Sequence, residues 1–294
     1  MNISALIREA LREDLGRLGD VTTRLFVPAR TRWRGSVRAR QTGVICGTRI
    51  AAQVFRACDP GCKVRVLVHD GGKVRPGQAV LAVSGGRDLL TAERTALNFL
   101  QHLSGVATTT ATYVKAVRGT KAAILDTRKT LPGWRNLEKY AVRCGGGSNH
   151  RMGLYDAVLV KDNHWPRVSS RGAERAQGIH MRSALKSEDF AKAVHELRCR
   201  HPKLPLIMEA DGLKQVRRGL ELGADVILLD NMPLPQLRQA IRLIRTTSPK
   251  TLIEVSGGVS LKGLRRLAHL GPDRISVGRI THSAPALDLG LDLA

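Results

Sequence analysis

The 294-residue sequence is short of several things, and each shortage removes a class of protein. Aromatic residues make up only 3% of it, which leaves little for the base-stacking platforms of nucleic-acid binders. No apolar stretch approaches the ~18 residues of a membrane-spanning helix, so no membrane partner is expected. The N-terminus, MNISALIREALREDLG, has no apolar run after its first basic residue, and no secretory signal is visible. Cysteines number five, Cys46, Cys58, Cys62, Cys144 and Cys199. Only Cys58 and Cys62 lie close together, with no His or second pair to complete a zinc site. They read as reduced thiols of a cytoplasmic protein rather than as a disulfide scaffold. Acidic residues are scarce too: 25 against 48 basic ones leave a net charge of +23.

What is present is a globular composition, 43% hydrophobic and 25% charged, which excludes disorder as the main description. The length suits one large α/β domain or two ordinary ones. Of the basic residues 35 are Arg and 13 are Lys, and they are densest over Arg30–Arg40. Such a charge fits an Arg-rich surface, a polyanionic macromolecule or small anionic substrates equally well.

Residues 3–15 carry apolar side chains at helical spacing. Short β-like segments follow, Gly43–Ile45, Val64–Val68 and Ala79–Val83, punctuated by glycine turns. Leu89–Gly105 then reads as a helix, closing a small α+β domain. From about residue 121 the rhythm changes to short apolar runs, each ending in a polar, charged or glycine residue. They end at Asp126, Lys161, Glu209, Asp230, Ser256 and Gly278. Helical patterns at Leu213–Leu222, Leu234–Ile244 and Leu261–Leu270 lie between the later ones. Repeated βα units of this kind build a parallel sheet covered on both faces. No G-x-G-x-x-G turn follows the first strand, and six unequally spaced repeats favour an α/β barrel over a doubly wound sheet.

Barrel enzymes collect their chemistry at the C-terminal strand ends. Arg128 and Lys129 just past one strand, Arg143, His150 and Arg151 around the glycine run 145–147, and Lys161 at the next strand end form a cationic set. Most surface cations are simply solvated, but a Lys ending a buried apolar strand points to function. Glu209, Asp230 and Glu254 form an acidic set for Mg²⁺, sugar hydroxyls or a developing cation, unless they only pair with the basic rim. Ser256-Gly257-Gly258, and Gly278 with Thr281, His282 and Ser283, offer two late loops for phosphate. The residues alone thus suit the joining of an anionic small molecule to a phosphorylated sugar.

The block DTRKTLPGWRNLEKYAVRCGGGSNHRMGLYDAVLVKDNH (126–164) closely resembles the signature of the quinolinate phosphoribosyltransferases. So do EDLGRLGDVTT (13–23), TAERTALNFLQHLSGVAT (91–108), GADVILLDNM (223–232), EVSGGV (254–259) and THSAPALDLGLDL (281–293). The resemblance implies an N-terminal α+β open-faced sandwich (1–108) and a C-terminal α/β barrel, incomplete and TIM-like (109–280), with the tail 281–294 packing back on the first domain. It implies transfer of phosphoribosyl from 5-phosphoribosyl 1-diphosphate to quinolinate with decarboxylation, giving nicotinate mononucleotide, CO₂ and diphosphate for NAD synthesis. Arg94 would reach quinolinate from the partner subunit of a homodimer, or of a higher assembly such as a hexamer. Arg128, His150 and Arg151 would line the dicarboxylate pocket, with Lys129 and Lys161 between quinolinate and the diphosphate. Glu209 and Asp230 match positions near the ribose and Mg²⁺; Ser256, Gly257, Gly258, Gly278 and His282 match the phosphate loops. Cys144 is not expected to act as a nucleophile.

Two departures stand out. Ile207 occupies a position where the family pattern has a second acid, and Arg279 interrupts a usually smaller phosphate loop, where it is expected to point outward. The stretch 165–186 reads as a long connection, either a cover for the site or a surface loop. Two other readings remain: a molybdenum-associated paralogue, against which the retained cations argue, and a nucleic-acid or scaffolding role supported only by the charge.

Overall fold

The structure, a computed structural model, describes residues 2–165 and 187–293. Among these the chain divides into two compact units, one of residues 2–118, 124–150 and 278–293, the other of residues 119–123, 151–165 and 187–277. The connection 165–186 lies outside the described residues apart from Trp165.

The first unit opens with α1 (Ile3–Leu15), whose Asn2 side chain caps the Ser4 N–H, and α2 (Val21–Phe26). Asp20 caps α2 through the Thr23 N–H at 2.8 Å, and its other oxygen accepts from Thr91 Oγ1, also at 2.8 Å. The GDVTT motif is therefore a helix cap tied to a second helix. After β1 (Trp33–Ala39) and β2 (Gly43–Val44) comes α3 (Thr48–Cys58), followed by β3 (Lys63–Val66), β4 (Lys73–Val74) and β5 (Ala79–Gly85). The helix expected over Leu89–Gly105 is α4 (Asp88–Ala116), eleven residues longer at its C-terminal end than its pattern indicated. Tertiary burial carries the extension, since Thr110 and Tyr113 are buried there, while Thr110 and Thr112 satisfy their hydroxyls by bonding back to the carbonyls of Val106 and Thr108. The boundary between residues 108 and 109 thus falls inside a continuous helix. β6 (Ala123–Leu125) and α5 (Arg135–Cys144) complete this part.

The second unit alternates β7 (Val158–Val160), α6 (Ser187–Arg200), β8 (Leu206–Ala210), α7 (Leu213–Glu221), β9 (Val226–Asp230), α8 (Leu234–Thr247), β10 (Leu252–Ser256), α9 (Leu261–Ala268) and β11 (Arg274–Ser276). Its strands form a parallel sheet in the order β11-β10-β9-β8-β7, sequential neighbours as in an α/β barrel. Side-chain alternation sorts the apolar residues by face. Met208, Ile227, Leu229, Ile253 and Val255 pack with Val216, Leu237 and Ile244 of the helices. Ala157, Ile207, Val226 and Leu228 form a separate cluster on the other face. Glu209, Asp230 and Ser256 continue that second face toward the C-terminal strand ends. All-apolar strands are the consequence of covering both faces.

The chain then returns to the first unit through α10 (Arg279–His282) and β12 (Leu289–Leu293). β12 pairs antiparallel with β1, giving a four-stranded sheet in the order β12-β1-β5-β3. The densest basic run is explained here. Arg38 donates to Gly77 O at 2.8 Å and faces Asp292, and Arg40 is paired with the same carboxylate. Part of the Arg30–Arg40 charge therefore ties a strand into its sheet.

Candidate active site

In the second unit the polar strand ends meet. Lys161, just past β7, brings its Nζ to 3.4 Å from Glu209 Oε2 in β8. Glu209 is mostly buried, and that burial raises its pKa above the usual carboxylate range; the Lys161 charge opposes the rise and the Asp230 charge adds to it. Two side chains brace this corner: the Trp165 indole N–H donates to Glu209 O at 2.8 Å, and His164 Nδ1 accepts from Lys161 N at 2.9 Å. Asp230 ends β9 directly opposite Ser256 of β10. Asn231, at φ 51°, turns its Nδ2 to Asp230 Oδ2 at 2.8 Å. A Cβ added to Gly257, at φ 88°, would lie 2.3 Å from Asn231 Oδ1. Glycine is required there both for its backbone angle and for its lack of a side chain. Glu254 was grouped with these acids, but it is fully buried one layer deeper, opposite Leu228, and accepts from Ser276 Oγ. Arg151, also in this unit, is half-buried and donates to Ala157 O at 3.0 Å.

In the first unit, the loop after β6 and the loop after α5 are joined by a buried network. Asp126 and Lys139 are both fully buried and form an ion pair. Asp126 also accepts from His150 N at 2.9 Å and from Asn149 Nδ2, while Lys139 donates to His150 O at 2.8 Å. Burial pushes the Asp126 carboxyl up from its ordinary range, against the pull of Lys139. Asp126 therefore faces inward while the next two cations face out. Arg128 and Lys129 are exposed, and so is Arg94 on α4. Among the described residues none of these three side chains has a hydrogen-bond or ion-pair partner, which leaves three cations available to an anionic ligand. Thr281 Oγ1 donates to Lys129 O at 2.7 Å, so α10 holds the cationic loop. A Cβ on Gly278 would meet Lys129 Cδ at 3.1 Å and His282 Cδ2 at 3.3 Å, bringing Lys129, Gly278 and His282 together. The glycine run serves packing as well: a Cβ on Gly145 would lie 2.4 Å from Ala107 O of α4.

Comparison with known proteins identifies this pattern. The N-terminal domain model of quinolinate phosphoribosyl transferase matches residues 20–104, and the C-terminal domain model matches residues 106–292. The chain belongs to the quinolinate phosphoribosyltransferase family. It is 44% identical over 292 residues to the nicotinate-nucleotide pyrophosphorylase [carboxylating] of Mycobacterium leprae, covering 98% of this chain and 95% of that one. It is 38% identical to a probable nicotinate-nucleotide pyrophosphorylase [carboxylating] of Synechocystis sp., covering 99% and 92%. The solved nicotinate-nucleotide pyrophosphorylase of Francisella tularensis superposes with a TM-score of 0.87 at 34% identity, covering 99% and 96%.

Within this phosphoribosyltransferase the departures have local reasons. Ile207 packs with Ala157, Val226 and Leu228, so an apolar layer fills the place of the second acid and Glu209 is the acid of its strand. Arg279 is exposed at the start of α10. Lys139, Asn149 and Asn231 went unnoticed in the sequence. The Asp230-Asn231 pair at the end of β9 did carry a signal, because Asn is among the non-glycine residues that most readily enter the left-handed region. No helix among the described residues is long and apolar enough to cross a membrane.

Proposed function

We propose that the chain transfers phosphoribosyl from 5-phosphoribosyl 1-diphosphate to quinolinate and releases CO₂, forming nicotinate mononucleotide and diphosphate in NAD synthesis. The end-to-end match to the carboxylating enzyme of M. leprae carries this reading. The unpaired cations support it, since quinolinate presents two carboxylates and the donor several phosphate charges.

Arg94, Arg128, His150 and Arg151 bind the quinolinate carboxylates. Lys129 and Lys161 neutralise charge between quinolinate and the departing diphosphate. The C1–O bond to diphosphate breaks as the pyridine nitrogen attacks C1, and Glu209 and Asp230 stabilise the positive charge that develops on the ribose. The alkylated ring is then a pyridinium, and it accepts the electron pair left when the 2-carboxylate departs as CO₂. A proton from solvent replaces it. Ser256, Gly257, Gly258, Gly278 and His282 hold the 5′-phosphate. No covalent enzyme intermediate is needed; position and electrostatics suffice.

Glu209 and Asp230, carboxylates whose charges act on one another, suit Mg²⁺, which keeps much of its shell as water and substrate phosphate. Bound by Glu209 and Asp230, the ion would offset the diphosphate charge. We further infer a cytoplasmic homodimer in which Arg94 of one subunit serves its partner's quinolinate.

Incubation of purified protein with Mg²⁺, 5-phosphoribosyl 1-diphosphate and quinolinate should yield nicotinate mononucleotide. No product, or equal product from nicotinate in place of quinolinate, would overturn the assignment.

A further inference from the structure

Cys46 and Cys144 are nearly a hundred residues apart, and neither has a part in the reaction proposed above. Within the first unit their sulfurs and a carboxylate oxygen of Asp70 all lie within 4.8 Å of one another. The backbones approach closely too, since a Cβ on Gly71 would lie 3.5 Å from Cys144 O, and Gly71 N donates to Ile45 O at 2.8 Å.

The two thiols differ in setting. Cys46 is fully buried, and its backbone is clamped by Ser104, which accepts from its N–H at 2.9 Å and donates to its carbonyl at 3.2 Å. Cys144 ends α5 and is half-buried. Asp70 is locked beside both, accepting from Thr48 N at 3.0 Å, Thr48 Oγ1 at 2.7 Å and Tyr140 Oη at 3.0 Å. A cavity of about 360 Å³ opens beside the cluster, lined by Gly47, Asp70 and Tyr140, and of the two sulfurs Cys144, the half-buried one, is the one nearer to solvent. Hydrogen bonding from Cys46 lowers the Cys144 pKa, with Tyr140 and the Arg143 charge assisting and burial and the Asp70 charge opposing, and the same contact together with burial raises that of Cys46. Thiolate character thus falls on the more accessible sulfur, as a peroxide-reactive cysteine with a resolving partner requires.

We propose that Cys46 and Cys144 are a peroxide-oxidised thiol pair, with Cys144 as the attacking sulfur and Cys46 as the resolving one. The Cys144 thiolate attacks one peroxide oxygen, the O–O bond breaks, and hydroxide leaves to be protonated by solvent. Cys144 is now a sulfenic acid. The Cys46 sulfur attacks it, losing its proton, and the S–O bond breaks with release of water. Two thiols are oxidised to one disulfide and one hydrogen peroxide is reduced to two waters. Closing the sulfurs to the ~2.05 Å of a disulfide needs a rotamer change and a small shift of Cys144. Cys144 immediately precedes Gly145–Gly147, which pack on α4 and lead into Asn149 and His150. The disulfide therefore displaces the loop that carries His150 and lowers phosphoribosyl transfer, a consequence that rests on the reaction proposed above.

The test treats the reduced full-length protein with hydrogen peroxide, then counts free thiols on the unfolded chain and maps linked peptides. The count should fall by two, from five to three, with a single Cys46–Cys144 link that dithiothreitol reverses. In Cys46→Ser, which keeps a hydrogen-bond donor but cannot form the disulfide, Cys144 should instead be trapped as the sulfenic acid by a dimedone probe. A count that stays at five, a link joining Cys58 to Cys62, or a zinc ion held by the pair through reduction would overturn the proposal. Transfer activity should fall on oxidation and return with dithiothreitol in the wild type, while Cys144→Ser stays active throughout. A complete link with an unchanged transfer rate overturns the coupling to His150. Protein inactive even when reduced would refute the proposed reaction alone, because the thiol count reads the pair independently of it.

Discussion

Replacing Lys139 by methionine is the most revealing perturbation of the buried network. The side chain keeps its length and apolar stem but loses the ammonium that contacts Asp126 and His150 O. Asp126 then retains only the His150 N–H and the Asn149 amide, in a site with no solvent exposure. Removing one partner of a buried pair costs about 3–5 kcal/mol, a large share of the roughly 5–15 kcal/mol that holds a domain together. The loss should also depend on pH. Burial already raises the Asp126 pKa, and loss of Lys139 raises it further. A carboxyl with a raised folded-state pKa is best accommodated while protonated, so the variant's deficit should grow as pH rises from the wild type's raised folded value toward the variant's still higher one. Urea unfolding at pH 5 and pH 8 gives both numbers. Asp126→Asn in the Lys139→Met background should recover part of the loss, a coupling of about 1–3 kcal/mol. A single-variant loss under about 1 kcal/mol, or additive single and double losses, would refute the argument.

Other outcomes follow from the same geometry. Inactive Arg94→Ala and Lys161→Ala variants should partly recover activity when mixed and allowed to exchange subunits; no recovery under verified exchange contradicts the shared dimer site. Gly257→Ala should raise the KM for 5-phosphoribosyl 1-diphosphate and cost about 1–2 kcal/mol from the left-handed backbone alone, as its Cβ also evicts the Asn231 side chain. An unchanged KM would remove that loop from phosphate binding. Asp273 works against burial, but Ile253 N, Arg245 and Lys121 hold its pKa below the usual carboxylate range. Its stabilisation is present above the unfolded value near ~3.9 and disappears as pH falls through the lower folded value. The stability gap between wild type and Asp273→Asn should therefore shrink in acid; a gap constant from neutral pH to pH ~2 would contradict this.

Much of the second unit was legible because its strands are buried on both faces. The runs ending at Glu209, Asp230 and Ser256 became β8, β9 and β10, and the helices between them begin at the expected Leu213 and Leu234, whereas α9 is interrupted at Lys262 and Gly263 just after the expected Leu261. Local pattern failed where tertiary contacts decide. The arginine-rich β1 has little alternation of its own and is held as a strand by β5 and by β12, which lies 250 residues away in sequence. The second half of α4 is threonine-rich and is helical because Thr110 and Tyr113 are buried. Lys139 is buried because Asp126, thirteen residues earlier, meets it there. The candidate residues Lys161, Glu209 and Asp230 were readable from strand ends, but two of the groups that brace them, Trp165 and His164, became visible only in three dimensions.

The central claim is that phosphoribosyl transfer and loss of one carboxylate occur in a single reaction on quinolinate. Quinolinate carrying a labelled 2-carboxylate tests it directly. The account predicts one labelled CO₂ per nicotinate mononucleotide formed, and none when 5-phosphoribosyl 1-diphosphate is omitted. Nucleotide formed with the label retained, or CO₂ released without the phosphoribosyl donor, would contradict it.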